Sequence, residues 1–188
     1  MNASPARLPW TAAICLVLIA FAAGCGRVQE ATAAEPKPNT LTPEEIAGGW
    51  VLLFDGETTF GWKPTSEADW KVAGGVISAS QGEQGLLCTT GQFANYALKV
   101  DFRAAEGTNS GVFLRTSPNP TDVTSKCYEL NIADPGTSDW PTGSFVQRQK
   151  SDVAKTGTDW RSFEVTADGA EITVKLDGRE VLSYTDPK

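Results

Sequence analysis

Two neighbouring β-type segments carry polar groups where a sheet does not need them. Asn109-Ser110-Gly111-Val112-Phe113-Leu114-Arg115 is followed by Cys127-Tyr128-Glu129-Leu130-Asn131-Ile132. Side chains alternate across a strand, so Val112 and Leu114 share one face while Gly111, Phe113 and Arg115 share the other. In the second segment Tyr128, Leu130 and Ile132 form an apolar face, with Cys127, Glu129 and Asn131 opposite. Paired strands would bring Arg115, Glu129 and Asn131 together on one side of a sheet whose other side is greasy. A carboxylate placed there could move a proton, and a guanidinium could hold an oxyanion. The same two residues could instead form an ion pair that only ties two strands. The chain has no histidine, which excludes Ser-His-Asp and Cys-His catalysis and removes the commonest zinc ligand. Acid–base work falls to Asp, Glu, Lys or Tyr, and a bound metal would be a divalent, oxygen-liganded cation such as calcium.

The elements that must position these groups are short strands. One short helix is signalled first: Thr42 caps, Pro43 suits the first helical position, Glu45 completes a capping box, and Gly48-Gly49 stops it. Trp50 to Phe54 reads as a strand ending at Asp55-Gly56. Trp70-Lys71-Val72 and Val76-Ile77-Ser78 flank a Gly-rich hairpin turn. Leu98, Val100 and Phe102 alternate with charged residues. Phe163/Val165, Ile172/Val174/Leu176 and Leu182/Tyr184 form a meander broken at Asp168-Gly169 and Asp177-Gly178. This spacing predicts an all-β sandwich or barrel.

The first 24 residues read as an export signal, with Arg7 ahead of the apolar run Thr11–Ala23. Ala22-Ala23-Gly24-Cys25 resembles a bacterial lipobox, so Cys25 is the expected lipidation site. Gly26 after it favours the outer membrane over inner-membrane retention. Residues 25–40 read as the lipidated cysteine and a flexible tether, and residues 41–188 as one domain. The net charge is −7 without basic runs, which argues against nucleic acid as a partner. Cys88 and Cys127 are either bridged or two separate thiols.

Several segments together resemble the 3-keto-disaccharide hydrolase family. They are Leu53-Phe54-Asp55-Gly56 with Gly61-Trp62, Trp70-Lys71-Val72, Gly75-Val76-Ile77, Gly85-Leu86-Leu87, and above all Asn109 to Arg115. Tyr128-Glu129-Leu130-Asn131-Ile132 with Asp134, Thr142-Gly143-Ser144, Trp160, Ile172-Thr173-Val174 and Asp177-Gly178 follow in order. The resemblance implies a concanavalin A-like jelly-roll sandwich of two antiparallel sheets. It also implies a cell-surface or periplasmic enzyme that cleaves glycosidic bonds of oligosaccharides or glycosides oxidised at C3. Family members usually continue past Thr185-Asp186-Pro187, so a chain ending at Lys188 is expected to lack a final strand over a sheet edge.

A ketone at C3 acidifies the C2 proton and places the glycosidic oxygen β to the carbanion. Glu129 is then the expected base, with Arg115, and a calcium-like ion if one binds, at the enolate oxygen. Asn131 is expected to orient sugar hydroxyls or simply to face solvent. Trp140, in a polar loop, is expected to stack on a sugar ring or to anchor its loop. Asn109 either contacts substrate or shapes its turn; Asp134 is a ligand group or a turn former; Asp101 is a ligand group or a solvated charge. Two other readings stay open: ordinary two-carboxylate glycoside hydrolysis, and a non-catalytic, lectin-like carbohydrate-binding module.

Overall fold

The computed structural model describes residues 38–187 apart from 119, 123–125, 135 and 156. The export signal, Cys25 and most of the tether therefore lie outside the described residues. Among the described residues no helix is long and apolar enough to cross a membrane. The one helix, α1 (Pro43–Ala47), has the expected capping box: Glu45 N donates to Thr42 Oγ1 at 3.1 Å and Thr42 N to Glu45 Oε2 at 3.0 Å. Too short to hold itself together in water, it is fastened to the neighbouring sheet through Lys99. That ammonium reaches Glu45 at 3.1 Å and lies 4.7 Å from the Trp50 ring centre.

Ten strands follow among the described residues, and all their pairings are antiparallel. β1 (Trp62–Pro64) pairs with β4 (Leu87–Thr89), and β2 (Lys71–Ala73) with β3 (Val76–Ser78). β5 (Tyr96–Phe102), β8 (Arg161–Asp168), β9 (Glu171–Leu176) and β10 (Arg179–Thr185) form a sheet ordered β10-β9-β8-β5. β6 (Asn109–Leu114) pairs with β7 (Tyr128–Ala133), Val112 opposite Leu130 and Phe113 opposite Glu129. The hairpin, the β5 alternation and the C-terminal meander stand where the residue pattern places them. The stretch Trp50–Phe54 does not: it forms no ladder, and Val51 and Leu52 are exposed. Strand-like composition is not enough where no neighbouring edge accepts the backbone groups.

The layer containing β7 extends past its second edge. Asn131 N donates to Ser144 O at 2.9 Å and Val146 N to Glu129 O at 3.1 Å, which sets Phe145 opposite Leu130. Phe145 and Gln149 then exchange backbone hydrogen bonds at 2.9 and 3.0 Å. The order across this layer is β6, β7, the ribbon 143–146, and the ribbon 149–151. Its inner face contributes Leu114, Tyr128, Leu130, Ile132 and Phe145; the four-stranded sheet contributes Phe102, Phe163, Val165, Ile172, Val174 and Leu182. Phe102 and Phe163 stack with ring centres 4.6 Å apart. Two antiparallel layers closing on one apolar core make the jelly-roll sandwich.

Candidate functional site

The outer face of β7 is where polar chemistry collects. Glu129 lies opposite Phe113 and beside Gly111. A Cβ at position 111 would come within 3.1 Å of Glu129 Cγ and 3.4 Å of its Oε1. The missing side chain at Gly111 is thus the space in which this carboxylate lies. Glu129 is half-buried, and its carboxylate has neither a hydrogen-bond nor an ion-pair partner among the described residues. Desolvation raises its pKa above the ordinary glutamate value. An unpaired, partly desolvated carboxylate is what a general base needs and what a structural ion pair would not show.

Two residues along β7 on the same face, Asn131 is buried, 1% exposed. Its Nδ2 donates to Trp140 O and to Ser138 Oγ, and Ser138 Oγ also accepts from Trp140 N at 3.1 Å. Asn131 therefore pins the loop 138–140 onto the sheet and is closed off from bulk solvent. Its Oδ1 has no donor among the described residues. Trp140 is half-buried beside it, with the Lys150 ammonium 5.2 Å from its ring centre. Asn131 thus holds the Trp140 peptide over the face that carries Glu129, and the Lys150 ammonium lies against that tryptophan.

Arg115 is not part of this group, which corrects the parity reading. Its φ is +50°, so the chain leaves the pleat at that residue and alternation no longer applies. The guanidinium donates to Ala94 O at 3.0 and 2.8 Å, to Gly169 O at 2.6 Å and to Asn95 Oδ1 at 3.4 Å. It braces the loops at one end of the four-stranded sheet and forms no ion pair with Glu129. Arg115→Met is expected to lower stability by about 1–3 kcal/mol, the scale for losing charge-assisted hydrogen bonds, and to leave kcat unchanged. Urea unfolding beside steady-state kinetics checks this; a stable variant with roughly 100-fold lower kcat would return Arg115 to the site.

The remaining candidates are dispersed. Asp101 is exposed on the outer face of β5, in the other layer. Asn109 is exposed at the start of β6, opposite Ala133. Asp134 uses its carbonyl as turn acceptor for Thr137 N and Oγ1, at 3.1 and 2.6 Å. Cys88 and Cys127 are free thiols, the latter buried. Two surface hollows, about 360 Å³ at Arg103–Ala105 and Thr158 and about 260 Å³ beside Asn39 and Asp55, do not include Glu129. The first is lined by no carboxylate, and Asp55 in the second accepts from Glu57 N, Thr58 N and Thr58 Oγ1. Among the described residues no three Cys, Asp or Glu side chains converge. One carboxylate and an engaged amide are a thin donor set for a cation that takes six to eight oxygens.

Residues 49–188 match the model of the 3-keto-alpha-glucoside-1,2-lyase-like domain. The chain belongs to this family. The domain is 28% identical over 126 residues to a 3-keto-disaccharide hydrolase of Bacteroides thetaiotaomicron, covering 60% of this chain and 42% of that protein. It thus spans less than half the length of this curated relative. In fold, the lyase-like domain resembles two crystal structures of proteins from Parabacteroides distasonis, each provisionally described as a glycosyl hydrolase. The first has a TM-score of 0.69 at 23% identity, covering 81% of this chain and 79% of the other. The second has a TM-score of 0.51 at 24% identity, covering 66% and 72%. Residue patterning alone misses Lys150 in this lyase-like domain. Ribbon 149–151 is too short to show a period, and only the folded chain brings Lys150 against Trp140.

Proposed function

We propose that this domain cleaves the glycosidic bond of sugars oxidised to a ketone at C3, with Glu129 as the base that removes the C2 proton. The observation that carries the reading is a half-buried carboxylate without partner, given room by Gly111, inside a 3-keto-alpha-glucoside-1,2-lyase-like domain. The C2–H bond breaks, its proton passes to a Glu129 oxygen, and the electron pair delocalises onto the C3 carbonyl oxygen as an enolate. When the carbonyl re-forms, that pair makes a C1–C2 double bond and the C1–O glycosidic bond breaks. The departing oxygen takes the proton Glu129 collected, so the carboxylate is regenerated. Addition of water, hydroxyl to C1 and hydrogen to C2, then gives the free 3-keto sugar.

Incubating the protein with a 3-keto-disaccharide and with its unoxidised parent tests this. The expected result is turnover of the keto sugar alone, with solvent deuterium appearing at C2. Equal cleavage of both would mean ordinary hydrolysis by two carboxylates. Binding of both without turnover would mean a lectin-like module. The Ala22-Ala23-Gly24-Cys25 sequence supports placing the enzyme outside the cytoplasm on a lipid anchor at Cys25. A fatty-acid probe fed to expressing cells is expected to label the wild type and not Cys25→Ser; label on both would overturn the anchor.

A further inference from the structure

We propose that Lys150 is a catalytic residue, its ammonium binding the C3 oxygen of a keto sugar as negative charge develops there. The inference rests on the reaction proposed above and supplies the cation which that reaction needs and which Arg115 does not provide. An enolate formed next to a half-buried carboxylate needs a positive charge within hydrogen-bonding distance of its oxygen.

Two arginines lie close to β7, and both are engaged by the protein. Arg115 is bound to the carbonyls of Ala94 and Gly169. Arg148 donates to Cys127 O at 2.9 Å and to Tyr184 Oη at 3.3 Å, and packs 4.4 Å from the ring centre of Tyr128, whose side chain is in the core. Lys150 differs on each count. It is exposed and, among the described residues, makes no salt bridge and has the Trp140 ring, at 5.2 Å, as its polar or aromatic contact. Asn131 fastens Trp140 to the face that carries Glu129, and Lys150 rests on Trp140.

Two strand spacings, about 10 Å, separate its ribbon from β7. Asn131 holds the peptide of Trp140 and Trp140 holds the ammonium, so the buried amide acts as a positioning residue for Lys150. A cation resting on an aromatic face keeps its charge and loses little hydration, leaving N–H donors free for a ligand.

The test compares wild type, Lys150→Met and Lys150→Arg on a 3-keto-disaccharide, with binding of the unoxidised parent measured alongside. In Lys150→Met kcat is expected to fall about 100-fold, the scale for one oxyanion donor, with KM nearly unchanged. Lys150→Arg should recover a large part of the loss, and all three proteins should bind the parent sugar alike. A merely structural lysine would not separate keto substrate from parent, nor be rescued by charge alone. If wild type turns over the keto sugar and Lys150→Met matches it, the Lys150 role is overturned while the Glu129 reaction stands. If wild type turns over neither sugar, both fall together.

Discussion

Glu129→Gln is expected to cut turnover of a 3-keto glycoside about 10²–10⁴-fold, while leaving sugar binding intact. The amide keeps the size and shape that fit the space at Gly111, so the site is not rebuilt by the change. It loses only the ability to take a proton, a loss that costs about 10²–10⁴ in kcat. The same substitution should raise stability, and the pH dependence gives the sign. Burial raises the pKa of Glu129 in the folded protein above its unfolded value. Below the ordinary glutamate range both states hold the proton, and the half-buried group has no ionic cost. As pH rises through the folded value, the native state must carry a desolvated, unpaired charge and stability falls. The glutamine variant carries no such charge, so its advantage in melting temperature should be small at acid pH and larger at neutral pH. The acid limb of kcat/KM should likewise lie above the usual carboxylate range. A variant that turns over at the wild-type rate, or gains stability equally at both pH values, would remove Glu129 from the mechanism.

Phe145→Ala should give the largest stability loss, about 3–5 kcal/mol, the range for truncating a buried phenylalanine. That is a large share of the roughly 5–15 kcal/mol that holds a domain folded. Phe145 is fully buried and meets Tyr128 and Tyr184 with ring centres 5.5 and 5.6 Å away. Its backbone also joins the ribbons 143–146 and 149–151, so the cavity opens under the segment that carries Lys150. Urea unfolding read by tryptophan fluorescence measures the loss. Phe60→Ala is the control, because that ring is 90% exposed and its removal should change stability by under about 0.5 kcal/mol. A Phe145→Ala midpoint equal to that of the control would mean the second layer is not held as described.

The Asn109–Arg115 and Tyr128–Ile132 segments show how far alternation carries an argument. Within the ladder it is reliable: Gly111, Phe113, Glu129 and Asn131 do share one face, because each residue is held by paired backbone groups. It fails one residue past the strand end, where Arg115 takes a positive φ and turns toward Ala94 and Gly169. The Trp50–Phe54 stretch fails for a related reason, since composition favours a strand but only a neighbouring edge makes one. Trp140 stood out as a large aromatic in a polar loop; that Asn131 holds its peptide is visible only once the loop is folded back over β7.

The residue order by itself determined the all-β class, the capping box, the C-terminal meander, the family block and the placing of Glu129 on a polar face. These follow from contacts between near neighbours, whose spacing is written in the chain. The tertiary structure decided which cation belongs with that carboxylate. Arg115, Arg148 and Lys150 are equivalent as charges in a string of letters. They are separated only by contacts across loops, which leave two of them bound to backbone carbonyls and one exposed beside Trp140.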